Sequence, residues 1–236
     1  EYTPHNDASC DKNATETGLC TRCNKEVTRD IPGSMLGHKC NSDADDYCSV
    51  CGFERTRLVY YVYEGRLGGV DANDGLTAET PVATIENAIK LALEKGAGIG
   101  DIVELKISGT VAWGGTVDGN WENIVEYGFK LILSAQDSTA TVGDGQKNII
   151  LGGAVVYDGV ILNAGNNWRA FCANGKDFTF GKGFASDMFD LALGNRKNID
   201  VNKDVTYNFD AFFPKIWVGN NYHSVNYNKK FTLNLN

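Results

Sequence analysis

The stretch "GGVDANDGLTAETPVATIENAIKLA", residues 68–92, joins two textures and decides how the rest of the chain is read. Its first half is a turn-rich connection of Gly, Asp, Asn and Pro. Its second half carries the one convincing helical pattern. Thr84 stands as an N-cap, and Ile85, Ala88, Ile89, Ala92 and Leu93 fall on one apolar stripe. Gly96 sits where a C-terminal stop is expected. The pattern predicts a helix over 84–95. Just upstream, "RLVYYVYEG" (57–65) alternates β-branched and aromatic residues and predicts a strand.

Beyond Gly96 no further strong helix is read. Short strand-like pieces recur instead, among them "DIVELKISG" (101–109), "FKLILSA" (129–135), "NIILGG" (148–153), "DGVILNAG" (158–165), "DFTFGKG" (177–183) and "FTLNLN" (231–236), separated by Gly, Asn and Asp turns. Many short strands with turn signals fit an antiparallel sandwich. Their spacing of roughly 18 to 30 residues also suits the coils of a solenoid, in which each turn buries its face against the next.

The stretch 68–92 resembles the opening of pectin-lyase-like right-handed parallel β-helix proteins. In those, a Gly-Asn/Asp-x-x-Asp-Gly segment with a following Pro leads into a helix that caps the first coil, and strands like "GDIVEL" (100–105) come next. The likeness covers residues 60 to 110, and the later pieces by texture alone. It implies a mainly β fold over residues 58–236, a short right-handed parallel β-helix with a capping helix near 84–95. That fold hosts lyases, hydrolases and purely adhesive domains, so it does not settle function.

Residues 1–57 read as a separate segment. Six of the seven cysteines precede residue 52, in polar, Asp-rich sequence with little apolar periodicity. Such a segment usually needs a metal or disulfides to fold. It contains two similar copies, each a His, a Cys, a polar spacer and a Cys-x-x-Cys. The first offers His5, Cys10, Cys20 and Cys23; the second His38, Cys40, Cys48 and Cys51. A Cys-x-x-Cys turn brings two thiolates to one ion, and a distant Cys and His complete a Cys₃His shell. Two structural zinc ions are therefore expected. Three disulfides, with fifteen connectivities, are the rival reading in an oxidising setting. A thioredoxin-like redox pair is disfavoured because no βαβ pattern surrounds either motif. The stretch "HKCNSDADDYCSVCGFER" (38–55) resembles a module found in tandem in large surface proteins of Gram-positive anaerobes, and the first copy does so more loosely, with Asn24 where the module has Gly. This resemblance implies a secreted or cell-surface setting.

Charge and length narrow the function. A net charge of -8 argues against a nucleic-acid partner. No apolar run approaches the roughly 18 residues of a membrane span. Neither an initiator Met nor an apolar signal segment opens the chain, as in a processed export precursor or a piece of a longer protein. Glycoside hydrolysis needs two positioned carboxylates. Asp158, Asp187 and Asp190 are candidates, though Asp before Gly is also a common turn former. His223 is the one histidine of the strand-rich region. Arg169, Lys182, Arg196 and Lys197 could serve a uronate lyase but form no motif. "DANDG" (71–75) is one residue too short for a calcium loop and reads as a turn into the helix.

Trp113, Trp121, Trp168, Trp217, Tyr222 and Tyr227 lie in or beside Gly/Asn-rich turns, where rings could stack on sugars or else plug the interior. Cys172, in "AFCANG", is read as a buried thiol. These residues point to an exported, non-enzymatic surface protein acting in adhesion or glycan binding. The alternatives are a polysaccharide lyase or glycoside hydrolase, whole or in part, acting on plant or host glycans, and a structural spacer of a larger surface protein.

Overall fold

The computed structural model describes residues 2–40, 45–113, 125–143, 149–163, 171–173, 175–183, 185–186, 191–192, 199–201, 204–210, 216–217, 225–228 and 230–235. The chain divides into two compact units, Glu1–Thr56 and Arg57–Asn236.

In the larger unit, seven strands form one parallel sheet: β4 (Arg57–Tyr63), β5 (Ile102–Ser108), β7 (Lys130–Ala135), β10 (Ala154–Asp158), β13 (Phe178–Phe180), β17 (Val205–Phe209) and β20 (Phe231–Leu235). They lie side by side in chain order, and every neighbouring pair is parallel. A four-stranded parallel sheet joins β6 (Thr110–Val111), β8 (Thr141–Val142), β11 (Ile161–Leu162) and β14 (Ala185–Ser186). Among the described residues, three two-stranded parallel ladders add to this: β9 (Ile149–Ile150) with β12 (Phe171–Cys172), β15 (Leu191–Ala192) with β18 (Ile216–Trp217), and β16 (Ile199–Val201) with β19 (Val225–Tyr227).

This arrangement corrects the right-handed parallel β-helix expected from the sequence. Among the described residues one seven-stranded sheet dominates, the other parallel pairings are split into short ladders, and one short α-helix joins them in a mixed α/β-like arrangement. The physical reason lies in what the spacing signal measures. Parallel neighbours need a crossover of a dozen or more residues. Apolar strands recurring about every two dozen residues therefore report parallel pairing in chain order, not a uniform stack of coils.

The core follows from strand alternation. Tyr60, Leu105, Leu133, Tyr157, Phe180 and Phe209 stand in register across successive strands and are all buried. A second column two residues upstream runs through Val103, Leu131, Val155, Phe178 and Tyr207. Towards the later strands these columns turn aromatic: Phe178 stacks on Tyr207 at 4.4 Å between centroids and meets Phe209 edge-on at 5.4 Å. Each such ring contributes roughly 1.5–3 kcal/mol on burial. The opposite face alternates outward and mixes polar with apolar side chains; on it Ser134 donates to Glu104 at 2.7 Å and Asn234 to Asn208 at 2.6 Å.

Helix α1 (Ile85–Glu94) forms where its caps predict. The Thr84 hydroxyl accepts from the Asn87 N–H at 3.2 Å, and Ile85, Ala88, Ile89 and Ala92 are buried. Leu93 leaves the expected stripe and is exposed. Gly96 takes φ +87, a left-handed conformation that ends the helix cheaply. The preceding loop is pinned by Asp71, whose Oδ1 accepts from the N–H groups of Ala83 (2.9 Å) and Thr84 (3.0 Å). Asp74 accepts from the Leu76 N–H and the Thr80 hydroxyl. These carboxylates anchor a turn. Asp137 does similar work after β7, accepting from the Ser108 and Thr139 hydroxyls and the Thr139 N–H.

Two outcomes follow from this packing. The Tyr60 hydroxyl is buried without a hydrogen-bond partner, and an unmet buried polar group costs about 1–3 kcal/mol. Tyr60→Phe is expected to keep or raise the urea midpoint; a clear fall would show that the hydroxyl is engaged. The hydrogen bonds from Ser108 and then Thr139 hold the Asp137 carboxyl below its ordinary value of 3.8. A lowered folded-state value means its stabilisation is complete above 3.8 and lost as pH falls through that lower value. Asp137→Asn should therefore lower stability at neutral pH and flatten the acid limb of the pH–stability curve, measured by urea unfolding.

Candidate metal centre

The smaller unit has little to pack with. Among its described residues one sheet forms, antiparallel, from β1 (Tyr2–Pro4), β2 (Thr15–Leu19) and β3 (Glu26–Asp30), and β3 is exposed along its whole length. Among its described hydrophobic side chains, Cys10, Ala14 and Cys48 alone are buried. The interior is thus made mostly of sulfur.

Around that sulfur four ligands converge. Cys10, His38, Cys48 and Cys51 present one ligand atom each, all within 4.8 Å of one another. Cys10 Sγ lies 4.0 Å from Cys48 Sγ, and His38 Nδ1 lies 3.3 Å from Cys51 Sγ. A tetrahedral ion with Zn–S of about 2.3 Å and Zn–N of about 2.0 Å sets sulfur–sulfur edges of about 3.8 Å and nitrogen–sulfur edges of about 3.5 Å. These two spacings lie close to the edges of that cage, and the donor set of three thiols and an imidazole suits a borderline-soft divalent cation.

Local backbone builds the cage. Cys48 N–H donates to the Phe53 carbonyl and Gly52 N–H to the Cys48 carbonyl, folding Cys48–Cys51 into a knuckle with Gly52 at φ +71. Lys39 N–H donates to Cys48 Sγ at 3.2 Å. The His38 ring stacks on Phe53 at 4.0 Å. Leu36 N–H donates to the Ser9 carbonyl, drawing the Cys10 segment alongside. Burial first, then hydrogen bonds with Cys51 and Cys48, pushes the Cys10 thiol up to about 12. Cys48 moves to about 6: burial opposes its ionisation, but the N–H groups of Val50 and Cys51 and the His38 ring outweigh it.

The grouping differs from the copy-by-copy sets read from the sequence. Cys10 of the first copy joins His38, Cys48 and Cys51 of the second. His5 is held elsewhere: its N–H donates to Thr15, and Nε2 contacts the Thr17 hydroxyl at 2.6 Å. Thr15 stands five residues along the strand from Cys20, about 16 Å in extended chain. Cys40 is half-buried and outside the cluster. Cys20 and Cys23 form a second knuckle without further ligands among the described residues. The six cysteines of this unit are all free thiols.

In the larger unit, Trp113 is 7% exposed, and its carbonyl accepts from Glu86 N–H at the start of α1. It is a core residue, as in the reading that has these rings plug the interior. Trp121, Trp168, Tyr222, His223, Asp187, Asp190, Arg169, Arg196 and Lys197 lie outside the described residues. For Trp217, Tyr227 and Cys172 only the strand backbone is described. Asp158 and Lys182 are exposed. No other group of three or more His, Cys, Asp or Glu side chains forms a metal-type cluster among the described residues. Among the described residues no helix is long and apolar enough to cross a membrane.

Comparison with protein-family models, with curated proteins and with solved structures finds no match to this chain.

Proposed function

We propose that residues 1–56 are a zinc-stapled module in which Cys10, His38, Cys48 and Cys51 hold one structural ion. The observation that carries this reading is the sulfur-built interior: the three hydrophobic side chains buried among the described residues cannot hold a 56-residue unit together by apolar burial. Zinc held by four protein ligands leaves no position open for a substrate, so this ion's role is folding. Small zinc modules gain roughly 10–16 kcal/mol of apparent folding free energy from the ion, which supplies what the core lacks.

For the larger unit the same proposal assigns a non-enzymatic adhesive or glycan-binding role in an exported, cell-surface setting. Its support is the outward sheet face. Tyr61 and Tyr63 stand half-buried there beside Lys106, Glu104 and Ser134, aromatic rings next to hydroxyl and charged groups. Retention on immobilised plant or mucin polysaccharides without turnover is expected, and Tyr61→Ala should weaken it. New reducing ends or unsaturated uronate absorbance would replace adhesion with enzymatic cleavage. Inert behaviour on every glycan would leave a spacer role.

The metal reading has its own test. Protein purified without added metal should carry zinc by elemental analysis. Chelation should abolish hydrogen-exchange protection in β2 and β3 while leaving β5 protected, and Cys48→Ser should reproduce that loss. Protection in β2 and β3 that survives complete metal removal would overturn the structural role.

A further inference from the structure

The first Cys-x-x-Cys turn repeats the second almost bond for bond. Cys20 N–H donates to the Lys25 carbonyl at 2.8 Å, as Cys48 N–H does to Phe53 at 2.8 Å. Asn24 N–H donates to the Cys20 carbonyl at 2.8 Å, as Gly52 N–H does to Cys48 at 2.9 Å. Asn24 even adopts φ +54, and it is the one described non-glycine residue with a positive φ. A left-handed residue is needed there to close the turn, and Asn is among the few side chains that tolerate it. The sequence thus spends a left-handed conformation on closing a Cys-x-x-Cys turn at the end of the β2–β3 hairpin.

What differs is the surroundings. The second knuckle is closed by Cys10 and His38. The first has no third His, Cys, Asp or Glu ligand among the described residues, Cys23 is exposed, and Cys20 is half-buried. We propose that Cys20 and Cys23 form a second, open metal site that takes a thiophilic divalent cation through two thiolates, with its remaining positions filled by exchangeable water or small-molecule ligands. On binding, the ion replaces the two thiol protons, which pass to solvent. Where the Cys10 site is a staple, this one loads and releases its ion. The inference uses the zinc reading of the Cys48–Cys51 knuckle as its geometric template.

The test is zinc loading of the reduced full chain followed by removal with a chromophoric chelator. The expected result is two equivalents per chain, one released fast and one slowly. Cys20→Ser/Cys23→Ser should lose the fast equivalent and keep the slow one, with hydrogen-exchange protection in β2 and β3 retained. Cys48→Ser/Cys51→Ser should lose the slow equivalent, and because it also costs β2 and β3 their protection it is read for the slow phase alone. If the fast equivalent is absent from the wild type, or survives in Cys20→Ser/Cys23→Ser, the open site does not exist. Half an equivalent per chain with dimerisation would also overturn it, since four thiolates shared between two copies make a closed site. A missing slow phase beside an intact fast phase would sink the structural-zinc reading and leave this one standing.

Discussion

Parallel pairing in chain order is the constraint from which the larger unit follows. Two parallel neighbours cannot share a tight turn, so the chain must leave the sheet after each strand and return at the same edge-to-edge register. Between visits it lays down the short ladders and, once, the helix. Because the register is kept from β4 to β20, side chains of like position fall into columns. The inner columns can then be filled by rings packed on rings, and the outer face by hydroxyl and amide groups bonded to their counterparts on the next strand.

The smaller unit solves the opposite problem. Its strands are short, its third strand is exposed throughout, and its apolar interior hardly exists. Order there depends on few, strong, directional contacts: two backbone-closed knuckles, a carboxylate on Thr15, an ion pair between Arg29 and Glu16, and the sulfur cage. Such a unit is specified by geometry at particular atoms, where the larger one is specified by volume and alternation. A changed methylene is felt in the sheet core; in the small unit the sensitive groups are the donors and ligands.

What the sequence shows is local, and what it hides is not. The helix at 84–95 was legible because its cap, its stripe and its terminating Gly all sit within a dozen residues. Alternation in 57–63, 102–108 and 130–135 was legible for the same reason. Sheet order is a relation between distant strands, and a spacing of two dozen residues fits more than one way of stacking them. The metal ligands were legible as types, and six of the eight proposed belong to knuckles or to the cage. Their partition was not, because Cys10 reaches 38 residues forward to Cys48, past the nearer knuckle at Cys20. For Trp113 the Gly neighbours left both an exposed turn and the interior open; it is buried, and its carbonyl accepts from the Glu86 N–H at the start of α1.

The placement of β4 and β20 at opposite edges of the seven-stranded sheet has a mechanical consequence. Tension applied between those two strands acts across the ladder, in line with the hydrogen bonds, and not along the strands as shear. Bonds loaded in that direction open a strand at a time, so the sheet would peel from an edge and lengthen by successive increments of one crossover each. A protein built this way yields gradually under load, and can recover by re-adding strands to whatever edge remains.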